Sequence, residues 1–217
     1  DVVALLGITE GVIEISAMVY IPFDHVGPSH FILMNEYEAG ADGAKSWALQ
    51  LDMDPAAQTI TDGANTLPLL VDTWAEIRVI VDLNNDLQYV YYDDEELAFN
   101  LDFASSSVVE LSAIDLYADP GSSGFYIDDI SVSEGTLPPF APSIQAPTDT
   151  MVSVAGKDYV QPLKILGGPA PELEITPANA TYGKGILTIP GPAEGTIDIS
   201  ITATNASGTA EAGWQVI

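Results

Sequence analysis

The sequence predicts an all-β protein made of two antiparallel β-sandwiches, the second smaller than the first. Three observations carry this expectation. Apolar residues alternate with polar ones over short runs, the runs are separated by turn-forming Gly, Pro, Asn and Asp, and no stretch sustains the i, i+3, i+4, i+7 repeat of a substantial helix. In order, the runs of the first part are "VVALL" (2–6), "VIEISAMVYI" (12–21), "HFILMNEYE" (30–38), "SWALQLDM" (46–53), "WAEIRVIVD" (74–82), "LQYVYYD" (87–93), "VVELSAIDLYA" (108–118) and "FYIDDISV" (125–132).

The clearest local unit is "WAEIRVIVDLNNDLQYVYYDDEELAF". Its first run alternates Ala75, Ile77, Val79 and Val81 with Glu76, Arg78, Ile80 and Asp82, a polar "NND" turn follows, and the chain returns through Leu87, Tyr89 and Tyr91. This is an antiparallel hairpin, and "DDEE" extends it into a meander suited to a two-sheet sandwich. Alternation is expected to place Tyr89 and Tyr91 on the side of Val79 and Val81, leaving Tyr92 on the opposite, outer side with Trp74, Glu76 and Arg78. In "FYIDDISV" the same two-residue period puts one of Asp128 and Asp129 on the packed side, a costly position for an ionised carboxylate without a compensating partner. "DLNND" and "DDEE" concentrate oxygen ligands, but they fall in turns, where Asp and Asn bind their own backbone, and neither has EF-hand spacing.

The stretch "GTLPPFAPSIQAPTD" is proline-rich and stiff, so it reads as a linker, placed at residues 136–142 between a domain at 1–135 and a domain at 143–217. Beyond it, short strands alternate with Gly/Pro turns at the spacing of a small immunoglobulin-like sandwich, with Trp214 expected to plug its core from the last strand.

The chain has 217 residues, 32 Asp or Glu against five Lys or Arg, and a formal net charge of −27. Residues 1–140 carry 25 of the acids and only two of the bases, Lys45 and Arg78. Such a field repels phosphate backbones and anionic lipid, which argues against nucleic-acid and membrane-surface roles. It suits divalent cations, saline surroundings or a basic partner. No apolar run approaches the ~18 residues of a membrane helix, so no membrane insertion is expected. The absence of cysteine removes disulfides, zinc thiolates and thiol nucleophiles together. Residue 1 is an Asp with no basic or apolar leader behind it, which is expected of a mature product or of a fragment whose export signal lies elsewhere.

The combination of "DVVALLGITEGVIEISAMVYIP", "HFILMNEYEAG", "LPLLVDTWAEIRVIVDLNNDLQYVYYDDEEL" and "LSAIDLYADPGSSGFYIDDISV" resembles the concanavalin A-like, laminin-G-like jelly rolls of large secreted bacterial proteins, planctomycete-type ones among them. Residues 141–217 resemble the immunoglobulin-like repeats of the cadherin-like group, through "GGPAPELEI", "GILTIPGPAEGTIDISITATNASGTA" and the terminal "WQV". The resemblance implies an all-β jelly-roll sandwich followed by an immunoglobulin-like sandwich, and an extracellular or cell-surface location. It also implies a structural calcium held in part by an acid of the C-terminal strand, with Asp128 and Asp129 as the candidate ligands. The competing reading has Asp128 capping backbone N–H groups and Asp129 in solvent. Finally, it implies an opening strand ahead of the equivalent of "DVVALL". Preceding sequence, or a strand supplied by self-association or a neighbouring chain, would complete that N-terminal sheet edge.

Enzymatic readings find little. The E-x-D-x-x-E strand of related glycoside hydrolases is missing, as is a G-x-S-x-G turn. His25 and His30 flank Ser29 in "DHVGPSHF" without a third orienting group in the sequence, and they are expected to be loop or edge residues. Trp47, Trp74, Tyr89, Tyr91 and Tyr92 could form a sugar-stacking platform, and alternation selects Trp74 and Tyr92 as the glycan contacts. The leading expectation is therefore a non-enzymatic structural protein of a cell-surface, filament or surface-layer assembly. The alternative is a carbohydrate-binding or adhesive module of a larger secreted chain.

Overall fold

The computed structural model describes residues 1–217 apart from 41, 42, 149, 150, 155, 184 and 192–194. The described residues form strands and turns only, in two units, Asp1–Gly135 and Thr136–Ile217.

The first unit contains β1 (Val2–Ile8), β2 (Val12–Tyr20), β3 (Ser29–Tyr37), β4 (Ala44–Asp54), β5 (Thr59–Thr61), β6 (Thr66–Pro68), β7 (Trp74–Asp82), β8 (Leu87–Tyr92), β9 (Glu95–Asp102), β10 (Leu111–Ala118) and β11 (Tyr126–Glu134). They make a six-stranded sheet, β1-β10-β3-β4-β5-β6, and a five-stranded sheet, β11-β2-β7-β8-β9, with every pairing antiparallel. The chain changes sheet between β1 and β2, β2 and β3, β6 and β7, β9 and β10, and β10 and β11, which gives the jelly-roll sandwich expected from the sequence.

Alternation explains the core between the sheets. From the five-stranded sheet it takes Ile13, Ile15, Ala17, Val19, Ala75, Ile77, Val79, Val81, Val90 and Tyr92; from the other it takes Phe31, Leu33, Leu49, Leu51, Met53 and Ile114. Acidic turns close the hairpins. Asp54 and Asp62 each accept two backbone N–H groups just downstream, and Asp82 accepts those of Asn84 and Asn85 at 3.0 and 3.2 Å while its second oxygen takes the Asn85 side chain at 2.7 Å. Asp93 and Asp94 both have positive φ (49° and 64°), the two-residue hairpin geometry that matches strand twist. "DLNND" and "DDEE" are thus turn-forming sequences.

The second unit contains β12 (Phe140–Gln145), β13 (Tyr159–Pro162), β14 (Lys164–Gly168), β15 (Glu172–Thr176), β16 (Thr181–Gly183), β17 (Ile186–Ile189), β18 (Ile197–Asn205) and β19 (Gly208–Val216). They pair as β12-β14, β13-β17-β16 and β15-β18-β19. Because β12 pairs with β14 from Phe140 onward, Phe140, Ala141 and Pro142 of the expected linker lie in a strand. Trp214 of β19 is buried and donates its Nε1–H to the Tyr159 hydroxyl at 3.2 Å.

Candidate functional site

Three aromatic side chains stand in one row across three paired strands of the five-stranded sheet. The register sets Tyr126 of β11 opposite Tyr20 of β2, and Tyr20 opposite Trp74 of β7. Their sequence neighbours Ile127, Val19 and Ala75 point into the sandwich core, so the three rings project from the outer face. The Tyr20 ring lies 5.5 Å from Trp74, tilted by 52°, and 6.1 Å from Tyr126, edge-on at 69°. Trp74 is 44% exposed and Tyr126 62%, large values for side chains of their size.

Two loops frame the row. Asp72, at φ 54°, accepts the Phe23 N–H through Oδ1 at 2.8 Å and the Tyr20 hydroxyl at 3.4 Å, and its own N–H donates to Ile21 O at 2.9 Å. Desolvation, followed by the negative charge of Asp72, pushes the Tyr20 phenol above its ordinary value, so it stays a hydrogen-bond donor. Phe23, held by this contact, is 80% exposed. Beside Tyr126 a cleft is lined by Pro22, Asp24, His25 and Ser123. The loops on its two sides are tied by Val26 N–H to Ser123 Oγ at 2.9 Å and Ser123 N–H to Val26 O at 2.8 Å. Flat apolar rings with a few carboxylate acceptors at the margin can take the C–H face of a pyranose while accepting from its hydroxyls.

Of the two expected glycan contacts, Trp74 is in this row and Tyr92 is not. Tyr92 is 2% exposed in the inter-sheet core, and its hydroxyl accepts the Leu70 N–H at 3.2 Å. The reason is register. Asp82 pairs with Leu87 across a four-residue connection, so odd residues of β7 oppose even residues of β8: Ile77 faces Tyr92 and Arg78 faces Tyr91. Tyr89 and Tyr91 accordingly share the outer face with Ile80 and Arg78, the reverse of the expected assignment. From Tyr89 to Tyr92 strand β8 is apolar or aromatic at both parities, so these residues alone cannot choose a face. Arg78 lies 4.4 Å above the Tyr91 ring and pairs with Glu76 (3.6 Å) and Asp94 (3.5 Å). Trp47 belongs to the other sheet, opposite Met34, and is 55% exposed. Sequence reasoning missed Tyr20, Tyr126 and Asp72, which become neighbours only once strand ends are aligned.

Asp128 and Asp129 sit in β11 at a register shift between Asp128 and Ser131. Asp129 has φ 48°, and Asp128 Oδ1 accepts its N–H at 2.8 Å. This bulge turns both carboxylates into solvent, so neither occupies the packed side as alternation alone had suggested. Among the described residues no group of three or more His, Cys, Asp or Glu side chains is placed to hold a metal ion.

His25 lies in the loop between β2 and β3, as expected, whereas His30 is in an interior strand. His30 lies in β3, between β10 and β4, 7% exposed, with Nδ1 2.6 Å from Asp52 Oδ1, Nε2 3.2 Å from Asp119 Oδ1, and Tyr117 stacked on its ring at 5.6 Å. His25 Nε2 is 3.3 Å from Ser29 Oγ, which is 3.2 Å from Ser122 Oγ, while His25 Nδ1 has no partner. Ser29 is fully buried, so no substrate carbonyl can reach its hydroxyl in this conformation.

No family model and no curated protein matches the chain. Among solved structures it is similar to galectin LEC-6 of Caenorhabditis elegans, at 10% identity and TM-score 0.43 over 61% of this chain and 90% of that one. Sheep galectin-11 in complex with glycerol gives 8% identity and TM-score 0.43 over 61% and 96%. A chimeric titin Z1Z2 carrying a decorin peptide gives 23% identity and TM-score 0.32 over 37% and 96%. At these values the likenesses concern strand layout, and no functional reading rests on them.

Proposed function

We propose that this chain is a non-enzymatic carbohydrate-binding module of a larger secreted or cell-surface protein, and that the Tyr126–Tyr20–Trp74 row stacks on a saccharide. The observation that carries this reading is the row itself: three rings held on paired strands, the outer two exposed and Tyr20 half-buried between them, bordered by Asp72 and Asp24. Strands fix the rings in advance, which lowers the ordering cost of binding. The ligand class is a neutral saccharide, since two marginal carboxylates on a chain of formal charge −27 repel uronates and sulfates. A screen of neutral and anionic oligosaccharides tests this. Neutral ligands are expected to bind, to change tryptophan fluorescence, and to lose binding in Trp74→Ala; binding confined to anionic glycans would refute the reading.

A second reading, cohesion between chains through open sheet edges, is supported by β1 and β11, two of the four edge strands of the first unit. Val2 and Leu5 of β1 are 66% and 62% exposed, and Ile130 of β11 is 48% exposed. Apolar edges with unpaired backbone groups are templates for strand addition. Light scattering over a concentration series tests it: oligomers that dissociate in Leu5→Lys would support cohesion, and a monomer throughout would remove it.

A further inference from the structure

Two Asp–Pro bonds occur in the chain, Asp54–Pro55 and Asp119–Pro120. Such a bond is a weak point of a polypeptide. The Asp carboxylate can close a five-membered ring onto its own carbonyl carbon, and the proline nitrogen, part of a tertiary amide, leaves readily in acid. The fold treats the two bonds differently. Asp54 Oδ1 accepts the N–H groups of Ala56 at 2.8 Å and Ala57 at 3.2 Å, so that carboxylate is occupied by its own turn.

Asp119 has another arrangement. It opens a turn through Pro120 and Gly121 in which Gly121 has φ 92°, as a type II turn requires, and Pro120 is exposed. The Asp119 carbonyl oxygen accepts the Ser122 N–H at 2.8 Å, while the Asp119 N–H donates to Pro28 O at 3.2 Å. The first of these bonds polarises the carbonyl of the Asp119–Pro120 peptide and stabilises negative charge that develops on its oxygen. The Asp119 side chain is 44% exposed, and its Oδ1 lies 3.2 Å from His30 Nε2. His30 of β3 is itself fixed from β4 by Asp52 Oδ1, 2.6 Å from Nδ1, and from β10 by the Tyr117 ring stacked on it; Asp52 Oδ1 also accepts Gln50 Nε2–H at 2.7 Å. With a carboxylate oxygen at each ring nitrogen, the imidazolium donates to both. The turn is pinned further by Ser123 N–H to Val26 O, so carbonyl, carboxylate and donors are held in place before any reaction.

We propose that the chain cleaves itself at Asp119–Pro120 in mild acid, with Asp119 as the nucleophile and His30 as the positioning residue that aims its carboxylate. A carboxylate oxygen of Asp119 attacks the Asp119 carbonyl carbon, and the oxyanion formed accepts from Ser122 N–H. The carbon–nitrogen bond then breaks, its electron pair stays on the Pro120 nitrogen, and that nitrogen takes a proton from the acidic solvent. The cyclic anhydride left on Asp119 adds one water and opens to two carboxyl groups. The products are residues 1–119 and 120–217, together one water heavier than the intact chain. The nick cuts the covalent tie between β10 and β11, after which Tyr126 of the aromatic row stays in place through the pairing of β11 with β2.

The test is incubation of the chain at about pH 5 followed by intact-mass spectrometry, with Asp54–Pro55 as the internal reference. In the folded chain, cleavage at Asp119–Pro120 is expected to run at least about tenfold faster than at Asp54–Pro55; in urea, where both bonds lose their surroundings, the two rates are expected to become equal. Asp119→Asn is expected to abolish the fast cut and leave the slow one unchanged. The ratio of the two rates in the parent is expected to fall as the His30 ring loses its proton. In His30→Gln, which can still donate a hydrogen bond but does not titrate, the ratio is expected to be lower and flat with pH. Equal rates at the two bonds in the folded chain, the same ratio with and without urea, or a fast cut that survives in Asp119→Asn would overturn the proposal. An unchanged ratio and pH profile in His30→Gln would overturn the role of His30. Trp74 takes no part in this experiment, so failure here leaves the saccharide reading standing.

Discussion

The two outer faces of the first sandwich use the same strand alternation to opposite effect. On the five-stranded sheet, large rings stand in the open and a polar tip is satisfied, Tyr20 by Asp72. On the six-stranded sheet, Ile32, Met34 and Ala113 form a buried layer beside Asp115, which has no hydrogen-bond partner at Oδ1. The first face presents exposed aromatic rings; the second buries a carboxylate among apolar side chains. The difference teaches that binding chemistry on a sandwich is assigned by register, row by row, more than by which residue types a strand contains.

The contrast between inward and outward rings of one sheet breaks most visibly at Tyr92. Tyr92→Ala removes a core ring and the acceptor for Leu70 N–H, with an expected loss of about 3–5 kcal/mol by urea or thermal unfolding. Trp74→Ala, 44% exposed, should change stability by less than about 0.5 kcal/mol yet lower saccharide affinity at least about tenfold, roughly 1.4 kcal/mol, in a direct titration. If the two variants exchanged these phenotypes, the register placing Ile77 opposite Tyr92 would be wrong. Asp72→Ala should cost about 1 kcal/mol, because it removes the acceptor for Phe23 N–H and puts a Cβ residue without local hydrogen bonding at positive φ. It should also weaken saccharide binding less than Trp74→Ala does.

The smallest expected effect is at Asp115. A carboxyl whose folded pKa lies above its unfolded value adds relative stability that is present below the unfolded pKa and lost as pH rises through the folded one. Asp115→Asn should therefore melt above the parent at pH 7, with the difference shrinking as pH falls toward 4. A pH-independent difference would mean that burial of the charge is not what sets it.

Much of this fold was legible in the sequence because its core strands alternate cleanly: Ile13, Ile15, Ala17 and Val19 pack inward while Glu14, Ser16 and Met18 do not. The hairpin from Trp74 to Tyr92 was legible as a hairpin, but not its faces, since Tyr89, Val90, Tyr91 and Tyr92 suit either side and the four-residue turn fixes the parity. The two carboxylates of "FYIDDISV" were misplaced for a related reason: a bulge at Asp129 adds a residue that no two-residue period foresees. Trp74 was found because it opens a strand on the polar phase of its alternation. Tyr20 and Tyr126 sit more than 50 residues from Trp74 in the chain, and only cross-strand pairing through β2 brings the three into a row.

The most direct test of the central claim is a tryptophan-fluorescence titration with the best neutral oligosaccharide from an array, run on the parent chain, on Trp74→Ala and on Trp47→Ala. A stacking row at Tyr126–Tyr20–Trp74 predicts a saturable change that survives in Trp47→Ala and disappears, with the binding itself, in Trp74→Ala. Undiminished affinity in Trp74→Ala, or loss only in Trp47→Ala, would contradict it and move the saccharide to the opposite sheet.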